Sequence, residues 1–383
     1  MRLRNRLIQS CLLFFGLILT QCVDGQSLTL STPPTVSKPI AEMLADTLST
    51  SEIPGVIAAI AKADQPLQIG CAGLRHFKKP VLVSPEDQVH LGSCTKSMTA
   101  TLIGRLIDHG KLDWDSTIAD CLPELAGQIH PDYHEVTLQQ LLMHRSGMPA
   151  QALNWWNSEG EDVTAKRRSI AIESLAAKPE TPPGSEFLYS NLGYMIAGLM
   201  ASSRGDLTWE ELMIKEIFQP LKMKSAGFGA PGEGLGLEQP WGHRKLGRGM
   251  IATQTDNAPA LGPAGTVHCS VSDWARFAMV HANPQHPLIT SATRSRLQQI
   301  SPELRSAGQK YAMGWGVSSQ PWSQGQVLGH SGSNTMWYST IFVAPEEQVA
   351  YLVAANIANP ETSRELNRVI EQLIEIQRGQ RSE

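Results

Sequence analysis

Strand-forming segments gather at the two ends of this 383-residue chain, and helix-forming segments fill the middle. Residues 56–63 and 67–74 read as two strands of a hairpin, with Asp64-Gln65-Pro66 as the turn. Towards the C-terminus, residues 311–317, 326–330, 336–344 and 349–355 are rich in Val, Ile, Tyr and Trp and read as further strands. Between them, residues 137–144, 170–177, 190–203, 209–218 and 272–281 read as helices. Another helix starts at Ser93, carries Met98, Leu102, Ile103, Leu106 and Ile107 on one face, and stops at Gly110. An amphipathic helix is expected at residues 39–48 and a closing helix at about 361–376. Strands so far apart can bury their faces only in a shared sheet. The expected fold class is α+β, an α/β sandwich plus a helical domain. A mostly antiparallel sheet comes from both chain ends (about 37–92 and 305–376), with an all-helical insertion (about 93–304) and a ligand cleft at the junction.

Hydrophobic residues make up 42% and charged residues 18%, which suits a sizeable core. A net charge of −4 gives no electrostatic basis for nucleic-acid binding. The N-terminus reads as a processing segment. Arg2, Arg4 and Arg6 form a basic region, and residues 11–20 form an apolar stretch too short to cross a bilayer. A signal peptide over residues 1–25, cut after Gly25, is expected, followed by a Ser/Thr/Pro-rich linker at 26–36 and the main domain at 37–376. Lipid attachment at Cys22 is the alternative, because Leu19-Thr20-Gln21 partly resembles a bacterial lipobox. Either way the domain is expected outside the cytoplasm, periplasmic or secreted. Beyond that segment remain Cys71, Cys94, Cys121 and Cys269, too few and too scattered for a disulfide framework. No metal-ligand spacing appears, and no cofactor is implied.

The chemistry-bearing feature is Ser93-Cys94-Thr95-Lys96 at the head of its helix. Residues three apart share a helix face, so an amine lies beside a hydroxyl and can activate it without histidine. A helix N-terminus also aims backbone N–H groups at developing negative charge. Alone the spacing is weak. Its weight comes from Tyr189-Ser190-Asn191 and His330-Ser331-Gly332, which follow in order.

With these three motifs the chain resembles the serine β-lactamase-like and penicillin-recognising hydrolases, especially the branch of class C β-lactamases, D-alanyl-D-alanine carboxypeptidases and related esterases. The resemblance spans roughly residues 37–376. It extends to Gly110-Lys-Leu-Asp-Trp-Asp, to the run from Leu141 to Pro149, to the run from Pro183 to Tyr189, to Gly262-Pro-Ala-Gly265 and to Gly314-Trp-Gly316. It implies that Ser93 is acylated, that Lys96 or Tyr189 is the general base, and that Asn191 touches the substrate amide or orients Lys96. It further implies that His330, Ser331 and Gly332 edge the cleft, and that Ser333 N–H completes an oxyanion hole with Ser93 N–H. Class C enzymes usually carry lysine where His330 stands. A histidine of ordinary pKa is mostly neutral near pH 7, which favours ester or amide substrates, such as peptides ending in D-alanine, over β-lactams.

A true β-lactamase and a non-catalytic binder of cell-wall peptide are the rival readings. His144 is expected to be structural, tying down the loop after its helix. Trp155 and Trp156 could rim the cleft or simply pack. Cys94 is expected to be an inert buried thiol, and His130 and His134 surface loop residues.

Overall fold

The computed structural model describes residues 34–156, 162–247 and 249–379. The signal segment, Cys22 and most of the linker lie outside the described residues. The strands are β1 (Thr35–Val36), β2 (Gly55–Lys62), β3 (Gln68–His76), β4 (Lys79–Leu82), β5 (Gln88–His90), β6 (Gly227–Phe228), β7 (Gly242–Leu246), β8 (Gly249–Thr253), β9 (Val267–Ser270), β10 (Gly316–Ser319), β11 (Gln326–Ser333), β12 (Tyr338–Ala344) and β13 (Val349–Ala355). The longer helices are α1 (Lys38–Ser49), α2 (Thr95–Asp108), α3 (Val163–Leu175), α4 (Asn191–Gly205), α5 (Val271–Ala282), α6 (Ser291–Gln298) and α7 (Pro360–Gly379).

The main sheet runs β1-β3-β2-β13-β12-β11-β10, with β4 added to β3. All its pairings are antiparallel except β1 with β3. The N-terminal hairpin therefore meets the C-terminal strands at β2–β13, where Ala59 sits opposite Leu352. Alternation along β2 assigns the two faces. Val56, Ala58 and Ile60 pack with Ile40 and Leu44 of α1 and with Leu366, Val369 and Leu373 of α7. Ile57, Ala59 and Ala61 point the other way, into the larger core shared with α5 and the inserted helices. A sheet covered on both faces reads as near-continuous apolar sequence, as β13 does: it is buried along its whole length.

The insertion is not made of helix alone. It also carries short strands: β6 and β9 form a small sheet with β5, which precedes the insertion, and β7-β8 form a hairpin. These strands are two to five residues long, too short to show periodicity. Two further differences from the sequence reading have local causes. The strand expected at 311–317 starts only at Gly316, because the chain turns at Gly314 with φ +78°. A Cβ there would lie 2.7 Å from Ser97 Cα, so this turn seats directly on the start of α2. Helix α2 is also buried on nearly every side rather than on one face. Its polar residues are mostly small hydroxyls that bond locally: Ser97 Oγ donates to Cys94 O at 2.8 Å and Thr101 Oγ1 to Ser97 O at 2.8 Å. The helix expected at 209–218 is α-helical only over Trp209–Met213 and continues as a π-helix over Ile214–Phe218.

Candidate active site

Ser93 lies in a 3-10 turn, Gly92–Cys94, that runs straight into α2. Gly92 adopts φ +50°, a conformation glycine tolerates without strain. Strand β11 passes against this turn backbone to backbone. A Cβ on Gly332 would lie 2.0 Å from Leu91 O and 2.6 Å from Ser93 N, and one on Gly92 would lie 2.3 Å from Ser333 N. Glycine at both positions lets the Ser93 and Ser333 amides occupy facing backbones. Cys94 Sγ donates to His330 O at 3.4 Å from the same turn. Burial pushes the Cys94 thiol up to about 12, so it stays an inert packed group, as expected from sequence.

Lys96 is completely buried. Its Nζ contacts three acceptors: Ser93 Oγ at 3.0 Å, Asn191 Oδ1 at 2.7 Å and Ala264 O at 2.8 Å. It also sits 4.9 Å from the centre of the Tyr189 ring. Burial pushes its pKa down from 10.5 to about 7, a small opposing contribution coming from Cys94. Tyr189 shares a hydrogen bond with Ser93, yet burial outweighs that bond and raises the phenol to about 12. The amine is therefore poised to exchange a proton near neutrality, and the phenol stays protonated.

The Tyr189–Asn191 segment is fixed by its surroundings. Ser190 caps α4, its Oγ accepting from Gly193 N at 2.9 Å. Ser190 N in turn donates to His144 Nδ1 at 3.0 Å. The buried His144 ring packs 4.2 Å from Tyr189 and 4.8 Å from Tyr311, and Leu188 N donates to its carbonyl at 2.8 Å. The loop-tying role expected of His144 is thus seen. His130 and His134 fit the loop reading only in part: each flanks a short 3-10 turn, and His134 Nε2 is buried.

His330 is half-buried, and both ring nitrogens are engaged. Nδ1 lies 2.8 Å from Ser331 O and Nε2 lies 3.0 Å from Tyr311 OH. A backbone carbonyl can only accept, so Nδ1 carries the proton and Nε2 accepts from the phenol. Burial, with Lys96 second, pushes the pKa of this neutral ring well below its ordinary value. Ser331 is exposed and turned away, its Oγ 2.5 Å from Thr340 Oγ1, so it edges the strand without facing Ser93.

A cavity of about 590 Å³ opens beside Ser93. Asn191, Ala264 and Ser333 share its wall with Trp155, Trp156, Leu261 and Met336. The tryptophans therefore do rim the cleft, and Trp156 is 71% exposed. Among the described residues no lysine or arginine lines this cavity. Two parts of the site carried no side-chain signal in the sequence. One is the Ala264 carbonyl, flagged only through the Gly262–Gly265 resemblance. The other is Tyr311, read as an ordinary strand residue. Among the described residues no cluster of His, Cys, Asp and Glu could hold a metal.

Comparison with known proteins places the whole arrangement. The Beta-lactamase family model matches residues 40–375, and the chain belongs to that family of serine hydrolases. It is 28% identical to "Penicillin-binding protein 4" of Amycolatopsis lactamdurans over 330 residues, covering 82% of this chain and 83% of that one. It is 23% identical to "Protein flp" of Staphylococcus aureus (strain MW2), covering 81% of this chain but 61% of that protein's length. Among solved structures, D-amino acid amidase from Ochrobactrum anthropi SV3, complexed with L-phenylalanine, superposes with a TM-score of 0.73 at 18% identity, covering 90% and 99% of the two chains.

Proposed function

We propose that the chain hydrolyses esters or amides through an acyl-enzyme on Ser93. The observation that carries this is the buried Lys96 amine, 3.0 Å from Ser93 Oγ and lowered to about 7. Neutral Lys96 takes the Ser93 proton as Oγ attacks the substrate carbonyl. The tetrahedral oxyanion is held by the N–H groups of Ser93 and Ser333. Tyr189, protonated, donates to the departing nitrogen or oxygen and is re-protonated from Lys96. Neutral Lys96 then takes a proton from water as that water attacks the acyl ester, and hands it to Ser93 Oγ as the acyl bond breaks. Asn191 holds the Lys96 amine in place, and Gly332 leaves room for the substrate along the β11 edge.

The substrate reading is an uncharged or amine-bearing acyl group with apolar or aromatic bulk. Trp155, Trp156, Leu261 and Met336 supply apolar wall, and no described cation faces the cavity to receive a carboxylate. His330, pinned neutral by Tyr311 and Ser331, does not supply one either. This favours esters and amides that carry no carboxylate beside the scissile bond over β-lactams. Turnover of p-nitrophenyl esters against nitrocefin tests it: esters should be cleaved faster, and rapid nitrocefin hydrolysis without esterase activity would make the protein a β-lactamase.

Export belongs to the same reading. Its support is the arginine-bearing, apolar N-terminal segment. Finding the protein in the periplasmic or extracellular fraction would agree, and retention in the cytosol would overturn it.

A further inference from the structure

A buried polar network links the backbones on which Ser93 N and Ser333 N lie. His90, at the end of β5, is fully buried two residues before the Ser93 turn. Gly92 N donates to its Nδ1 at 3.0 Å, so the ring proton sits on Nε2. Nε2 lies 2.8 Å from Asp256 Oδ1, a close polar contact that falls outside hydrogen-bond geometry. The same oxygen accepts from Asn334 Nδ2 at 2.9 Å. Asn334 directly follows Ser333, is 3% exposed, and its Oδ1 accepts from Met336 N at 3.2 Å and Trp337 N at 2.9 Å. The path therefore runs from the residue before Ser93, through two side chains of separate elements, to the residue after Ser333.

Two independent features mark this as more than packing. Asp256 Oδ2, like His90 Nε2 beside it, is buried with no hydrogen-bond partner among the described residues, so the contact is held at the cost of two unsatisfied polar atoms. The turn after Ser333 also places Thr335 at φ +72°, with Thr335 N donating to Ser333 Oγ at 2.9 Å. A β-branched residue held there needs its surroundings to over-determine it.

We propose that His90, Asp256 and Asn334 are positioning residues that set the spacing of the Ser93 and Ser333 amides. This rests on the oxyanion role given to those amides above. Asp256 and Asn334 also line the cavity beside Ser93, but their hydrogen bonds join each other and the backbone that follows Ser333 rather than the reacting atoms. The network fixes the two donors before the reaction, so its value appears where negative charge develops on oxygen and not in ground-state binding.

The test compares Asp256→Ala, Asn334→Ala and Asp256→Asn with wild type. It measures kcat and KM for a p-nitrophenyl ester, affinity for benzeneboronic acid, which forms a tetrahedral adduct on serine, and the melting temperature. Displacing a donor should cost ~10- to 10²-fold in kcat and similarly in boronate affinity for both alanine variants, with KM within about twofold. Asp256→Asn keeps the shared acceptor oxygen and should restore most of the loss. Asn334→Ala lies in a turn and leaves the buried pair intact, so it carries the test if Asp256→Ala does not fold. Alanine variants that keep kcat and boronate affinity overturn the proposal, as does a loss confined to KM. A wild type that turns over no ester and binds no boronate removes the hydrolase reading itself, and the positioning role with it.

Discussion

Gly332 approaches Ser93 so closely that a single methyl group on it would lie 2.6 Å from the Ser93 amide nitrogen. The cleft-edge strand and the serine-bearing turn are therefore one construction, and the glycine is what allows the contact. Gly332→Ala must push β11 off the turn. It should lower esterase kcat by ~10²-fold or more and destabilise the fold by about 1–3 kcal/mol, as overpacking does. Steady-state kinetics and thermal melting check both effects together.

The pH dependence should follow Lys96. With its pKa lowered to about 7, the fraction of neutral amine, and with it the rate of Ser93 acylation, should rise through pH 7 and level off above it. Stability should move in the same direction. In the unfolded chain the lysine stays protonated to its ordinary value near 10.5, so between about 7 and 10.5 the unfolded state binds the extra proton and folding gains with rising pH. The gain is absent below 7, where both states are charged. Urea melts of wild type against Lys96→Met across pH 6 to 10 isolate this contribution. A flat difference would contradict it.

Tyr189→Phe removes the proton donor to the leaving group and keeps the ring. Loss of a general acid typically costs 10²–10⁴-fold. The loss should be large for amides, whose nitrogen leaves only when protonated, and small for p-nitrophenyl esters, whose phenolate leaves unaided. Measuring kcat for a matched ester and anilide in both proteins checks the difference in slopes. Equal losses would argue that Tyr189 acts on Ser93 instead.

Trp156, 71% exposed at the cavity mouth, should contribute binding without chemistry. Trp156→Ala is expected to raise KM about 3- to 10-fold for an aromatic acyl ester and to leave kcat and the KM for an acetyl ester nearly unchanged, as expected for loss of aromatic contact worth about 1 kcal/mol.

The sheet from both chain ends was legible because β2, β3, β12 and β13 are long enough to show strand composition and carry turn residues at their ends. The reacting groups were legible for a different reason: Ser93 and Lys96 are fixed by helix geometry, and Tyr189 and Asn191 flank a helix cap, so local sequence carries their relation. What did not show was long-range or nameless. The Ala264 carbonyl is a main-chain acceptor that any residue could supply. Tyr311 reaches His330 only because Gly314 turns the chain early. His90, Asp256 and Asn334 come from three distant segments and meet only after folding. The burial of α2 on all sides was masked by its threonines and serines, which look exposed in sequence but satisfy their hydroxyls within the helix or on packed neighbours, as Thr99 does on Pro263 O at 2.8 Å and Thr95 on Val267 N at 3.1 Å.

The most direct measurement is covalent labelling of Ser93. The protein is incubated with a fluorophosphonate probe at pH 8, and the modified peptide is located by mass spectrometry, with Ser93→Ala and Lys96→Met as controls. Rapid labelling on Ser93 is expected in wild type, none in Ser93→Ala, and labelling slowed by orders of magnitude in Lys96→Met. Wild-type protein that stays unlabelled, or that is labelled at another residue, would contradict this and leave a protein that binds within this fold without reacting there.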